Sequence, residues 1–125
     1  MATGDKSDQY GGDLLATMGG DVEEARRLAE LFFETASAHV ERMRTAVINR
    51  DRKNLAFSAH KCAGGAAACG LADLAALLSS LELAAGDSEW SSLEASFTEL
   101  IACYADSQLR VIDYFQSLSG VSSDA

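Results

Sequence analysis

The sequence predicts an all-α protein: an antiparallel up-down four-helix bundle with a short additional N-terminal helix. Three observations carry that prediction. Proline is absent and aromatics make up only 7% of the 125 residues, while alanine and leucine abound, a composition suited to packed helices. Apolar residues recur three and four apart through four successive stretches, the spacing of a helix with one buried face. Short connections separate the stretches, which forces neighbours to run antiparallel. A chain of this length makes one domain with a real core and has no room for two.

The elements follow in order. Residues 1–10 are polar and are expected to form a disordered tail, with the bundle spanning 11–119 and a second loose tail over 120–125. Gly11-Gly12-Asp13 opens a small helix, Leu14 to Met18, capped by the aspartate and lying across one end of the bundle. Asp21 caps the next helix, with Glu23 and Glu24 in its first turn, where the helix dipole favours acids. Its seam is Val22, Ala25, Ala29, Phe32, Ala36, Val40, Met43 and Val47, close to a heptad rhythm, and the pattern runs to about Asn49. His39 lies beside that seam and reads as a partly buried structural residue.

Asp51 caps a central helix that Gly70 ends. Its apolar seam is Leu55, Ala59, Cys62, Ala66 and Cys69. At about 100° per residue, His60 falls roughly 130° from the middle of that seam and should point to solvent. Around it stand Ala56, Phe57, Ala63, Gly64 and Ala67, the neighbours three, four and seven residues away. Apart from Phe57 they are too small to cover an imidazole. Two adjacent glycines, Gly64 and Gly65, each cost about 1 kcal/mol relative to alanine inside a helix. Tolerating them implies that something comes close to the backbone there. The expectation is an exposed histidine on a shaved helix face with room for another protein.

The following helix, about Ala72 to Ala85, carries the stripe Leu74, Leu77, Leu78, Leu81 and Ala85 and stops at Gly86. Asp87 or Ser88 then caps a long last helix from about Glu89 to Leu118. Its stripe runs Trp90, Leu93, Phe97, Leu100, Tyr104, Gln108, Val111, Phe115 and Leu118.

Charge and cysteines narrow the function. A net charge of −9 argues against nucleic acid and against anionic membranes as partners. No apolar run approaches the roughly 18 residues of a membrane span, and the start lacks an export-signal pattern, so a cytoplasmic location is expected. Cys62 and Cys69 lie about 10 Å apart along one helix, beyond disulfide reach, and with Cys103 read as small core residues. No closely spaced Cys/His pair suggests a metal site, and none is expected. Between Arg42 and Ala72 the chain is net +5, from Arg42, Arg44, Arg50, Arg52, Lys53 and Lys61 against Asp51. That island is either a solvated face or a landing place for an acidic partner surface.

These residues resemble the histidine-containing phosphotransfer (HPt) domain family. The registered set is Ala59-His60, Gly64, Gly70, Leu74, Leu77 and Leu81-Glu82, with Asp51 and Leu55 upstream, and the similarity extends over about 11–118. One departure stands out: the lysine usually found three residues after the histidine is Ala63 here. The resemblance implies a phosphorelay intermediate in which His60 accepts a phosphoryl group from a receiver-domain aspartate and passes it to another. With alanine at the family's lysine position, either Lys61 or Lys53 is expected to take over as the phosphoryl-stabilising cation or the phosphorylated state is less stabilised, and Ala56, Phe57, Ala63, Gly64 and Ala67 are expected to form the partner-binding surface. The expected partner is a response-regulator receiver domain or a hybrid histidine kinase. No cofactor is expected on this chain, the Mg²⁺ being the receiver's, and a monomer suffices. The chain would be a carrier without kinase activity, since it has no nucleotide-binding glycine loop. Two alternatives remain open: a non-phosphorylated receiver-binding module of the same fold, and a metal-binding bundle using His39 and His60, which lacks the inward carboxylates of such bundles.

Overall fold

The computed structural model describes residues 12–119. The two expected tails, 1–10 and 120–125, lie outside the described residues. Five helices follow one another: α1 (Gly12–Thr17), α2 (Val22–Asn49), α3 (Arg52–Ala68), α4 (Ala72–Ala84) and α5 (Trp90–Ser119). The last four form the bundle. α2 packs on α3 and α5, and α4 on the same two, so the helices close a ring in chain order with α1 resting against α2.

The boundaries follow from local chemistry. The Asp21 carboxylate accepts the Glu24 amide at 3.1 Å and opens α2; Asp51 does the same for the Asn54 amide at 3.1 Å and opens α3. Gly70 takes the left-handed conformation (φ +74°). Its N–H reaches the Ala67 carbonyl and that of Leu71 the Ala66 carbonyl, at 3.0 and 2.9 Å, which satisfies the orphan acceptors of α3. Two expected caps move. Asp13 lies inside α1. Asp87 and Ser88 fall in the turn before α5, whose first helical hydrogen bond runs from the Leu93 amide to the Glu89 carbonyl.

The core is filled from every helix, with Met43, Leu55, Leu74, Leu78, Leu81, Leu93, Leu100 and Phe115 nearly inaccessible. The predicted stripes are largely the buried ones. Leu118 departs from this: it is exposed because α5 outlasts the shorter α3 and α4 and its last turn has little to pack against. Cys62 and Cys69 are buried and free, and burial pushes the Cys62 thiol up to about 11, an unreactive core thiol.

Arg52 ties three elements together at one end of the bundle. Its guanidinium donates to the Ala85 carbonyl at the end of α4, 3.2 Å away, and lies 4.9 Å over the Trp90 ring at the start of α5. Arg52→Ala is expected to cost about 1–2 kcal/mol, from one lost hydrogen bond and one cation–π contact. Arg52→Lys should recover little, because an ammonium cannot stack and donate at once. Urea midpoints of the two variants check this.

Candidate functional site

α3 touches both α2 and α4, so its buried sector is wide and only a narrow strip faces out. His60 stands on that strip with its side chain 68% exposed. Its Nδ1 lies 3.1 and 3.2 Å from the two carboxylate oxygens of Glu82 on α4. An ionised carboxylate only accepts, so this pair places the proton of a neutral imidazole on Nδ1. Nε2 is then left with a free lone pair on the exposed ring. Glu82 follows Leu81, which is buried and anchors this turn of α4 in the core.

The surroundings of His60 match the expected shelf in part. Phe57 is 58% exposed, Gly64 and Ala67 are exposed, and Ala56 is half-buried. Ala63 is only 9% exposed and turns into the core, because the packing of α3 on two neighbours draws this position inward. The two glycines separate into different tasks. A Cβ on Gly64 would meet nothing within 4 Å, whereas one on Gly65 would sit 2.9 Å from the Phe32 ring. Gly65 therefore lets α2 approach α3, and Gly64 keeps the surface clear.

Half of the basic island is committed to structure. Arg44 pairs with Glu41 at 3.5 Å and lies over Phe97, while Arg50 and Arg52 both lie over Trp90. Of the residues expected to carry cation roles, Lys61 rests its Nζ 5.4 Å above the Phe57 ring, on the α2 side of the strip. Lys53 is exposed, two turns or about 10.5 Å along the axis from His60. The structure thus joins His60 to Glu82 and joins neither lysine to the imidazole. Arg42 and Lys61 flank His39, and a shallow groove of about 490 Å³ between α2 and α3 runs from Arg42 to Phe57.

His39 is half-buried, as expected of a structural residue. Burial first, then the charges of Arg42 and Lys61, lower its pKa from the ordinary value near 6.5. Below pH 6.5 the unfolded chain therefore binds this proton more readily than the folded one. Stability from this group is fully present above pH 6.5 and is lost as pH falls from there through the lowered folded-state value. His39→Gln should flatten the dependence of the urea midpoint on pH between about 5 and 7.

Glu82 is the residue that sequence reasoning left without a role. Its signal was there, as an acid set among leucines on a buried stripe, 22 residues after His60. Among the described residues no group of three or more His, Cys, Asp or Glu could hold a metal ion, and no helix is long and apolar enough to cross a membrane. No curated protein and no solved structure matches the chain. A family model does: that of the Hpt domain matches residues 27–110, from the second turn of α2 into α5, and includes both His60 and Glu82. More than half of the chain lies within that match, and the chain belongs to the Hpt domain family, the histidine phosphotransfer domains of two-component phosphorelays.

Proposed function

We infer that His60 is the phospho-accepting residue, taking a phosphoryl group from a receiver-domain aspartate and handing it to a second receiver aspartate. The observation that carries this is the exposed imidazole with Nδ1 held by Glu82. In the forward step the Nε2 lone pair attacks phosphorus, the N–P bond forms, and the P–O bond to the aspartate breaks. Nδ1 keeps its proton, and the positive charge that develops on the ring faces the Glu82 carboxylate. The reverse sequence returns the group to a carboxylate. Such transfer needs in-line positioning and charge neutralisation more than covalent chemistry from the protein. The Mg²⁺ that neutralises the phosphoryl oxygens belongs to the receiver, and this chain supplies the acceptor and a surface that admits it.

Phe57, Gly64, Ala67 and the edge of Ala56 form the docking shelf, and Arg42, Lys53 and Lys61 are the cations left to meet an acidic rim. Ala63 contributes as a small residue beneath the shelf and not as a contact. Lys61 supplies charge to the phosphoryl group by leaving the Phe57 ring when a partner covers it; Lys53 does so at longer range. On this reading the chain is a monomeric cytoplasmic carrier without kinase activity, its working unit is residues 11–119, and its partner is a receiver domain, alone or within a hybrid kinase.

One observation favours a second reading, a receiver-binding module that is never phosphorylated: among the described residues no lysine lies against His60. Incubation with a phosphorylated receiver separates the two. Acid-labile, base-stable phosphate on His60 supports the carrier, whereas binding without transfer supports the module.

A further inference from the structure

His60 stands over the α3–α4 edge of the helix ring; a larger groove runs along the opposite edge, between α2 and α5. It holds about 640 Å³ above a floor that includes Phe33, Val111 and Phe115. Tyr104 also lines it, its hydroxyl donating to the Phe33 carbonyl at 3.2 Å, so the aromatic walls are fixed in place. On the α5 rim, Ile112 is 45% exposed, and Leu109, one turn back, is 64% exposed. Ala105, Ala102, Thr98 and Ala95 continue this line at alternating spacings of three and four, all exposed and uncharged. Carboxylates border the band on both sides: Glu30 and Glu34 on α2, Asp106 and Asp113 on α5. Arg26 and Arg110 also lie there, but Arg26 pairs with Glu23 and Glu30 and Arg110 with Asp106, so each border stays net acidic.

We propose that this band docks an amphipathic helix of another protein, apolar along one seam and rich in lysine or arginine on both shoulders. Apolar side chains at helical spacing fill the groove and lie along Ile112 and Leu109, and the basic shoulders meet the two carboxylate rows. A second copy of the chain suits the band poorly, because it sets carboxylates against carboxylates on a protein of net charge −9. The site is independent of phosphoryl transfer, and because it lies on the opposite edge the two partners can be held at once.

The test uses the full chain and a labelled helical peptide of about 18 residues, with leucine along one seam and lysine elsewhere. A matched peptide carries glutamate in place of lysine. Saturable binding of the lysine peptide is expected, with amide shifts confined to the α2 and α5 residues around the groove. Ile112→Ser or Glu34→Lys should weaken it at least about tenfold. Leu83→Ser, at an exposed apolar position on α4, should leave it unchanged, and transfer to His60 should continue with the peptide bound. Shifts centred on Phe57 and His60, equal binding of the glutamate peptide, or an inert Ile112→Ser would overturn the proposal. So would concentration-dependent self-association that Ile112→Ser abolishes, which would assign the band to a second copy.

Discussion

His60→Gln is expected to abolish acceptance of phosphate from a phosphorylated receiver while leaving the melting temperature within a degree or two. The side chain is exposed and its one strong contact is to Glu82, so little packing is lost. The Glu82 series then tests how the imidazole is prepared. Glu82→Ala removes the acceptor for Nδ1–H, and the proton can move to Nε2 and occupy the attacking lone pair. It also removes the negative charge facing the ring as the N–P bond forms. A fall of about ten- to hundredfold in the rate of transfer is expected, the cost of losing orientation at a reacting group. Glu82→Gln keeps an acceptor oxygen but not the charge and should fall in between. Rapid-quench measurement of phosphate on His60 checks all three. Equal rates for Glu82→Ala and the parent chain would show that the contact between Nδ1 and Glu82 has no part in transfer.

The second large effect separates the adjacent glycines. Gly64→Ala gains helix propensity, about 1 kcal/mol, and its methyl enters open space. The melting temperature should rise by several degrees. Gly64→Gln should keep the fold and impair transfer, because the longer side chain stands where a receiver must approach. Gly65→Ala makes the same propensity gain but drives a methyl to 2.9 Å from the Phe32 ring. Phe32 is buried and packs edge-on against Phe33, with ring centroids 4.9 Å apart, so it cannot swing freely. Overpacking costs about 1–3 kcal/mol, and the net change should be destabilising by about 1 kcal/mol. Gly65→Leu should be worse, and Phe32→Leu should rescue Gly65→Ala in part. Thermal melts of these five variants decide it, and a Gly65→Ala chain as stable as Gly64→Ala would refute the division of labour.

What the sequence disclosed and what it hid divide along one physical line. Features fixed within a turn of helix were legible: Asp21 and Asp51 as caps, Gly70 as terminator, the leucine stripe of α4 and the outward aspect of His60. Features fixed by residues far apart in the chain were not. A helical wheel sees one seam per helix, but α3 has two neighbours, so Ser58 and Ala63 are buried although neither belongs to the seam. The same limit made Gly64 and Gly65 look alike, since only Phe32 across the interface tells them apart. The basic island read as one surface because nothing local marks Trp90 and Phe97 as the destinations of Arg44, Arg50 and Arg52. Glu82 belonged to the registered family pattern, but its meeting with His60 depends on how α4 lies against α3.

The clasp at the end of the bundle has a practical consequence. Trp90 is the sole tryptophan of the chain, lying beside two guanidiniums where α3, α4 and α5 converge. Its emission is therefore a built-in optical gauge of whether that joint is closed. Because the ring sits among these three helix ends and not beside the imidazole, a substitution at position 60 or 82 that leaves the spectrum untouched has left that joint closed. A spectral shift would reveal instead that the scaffold had loosened.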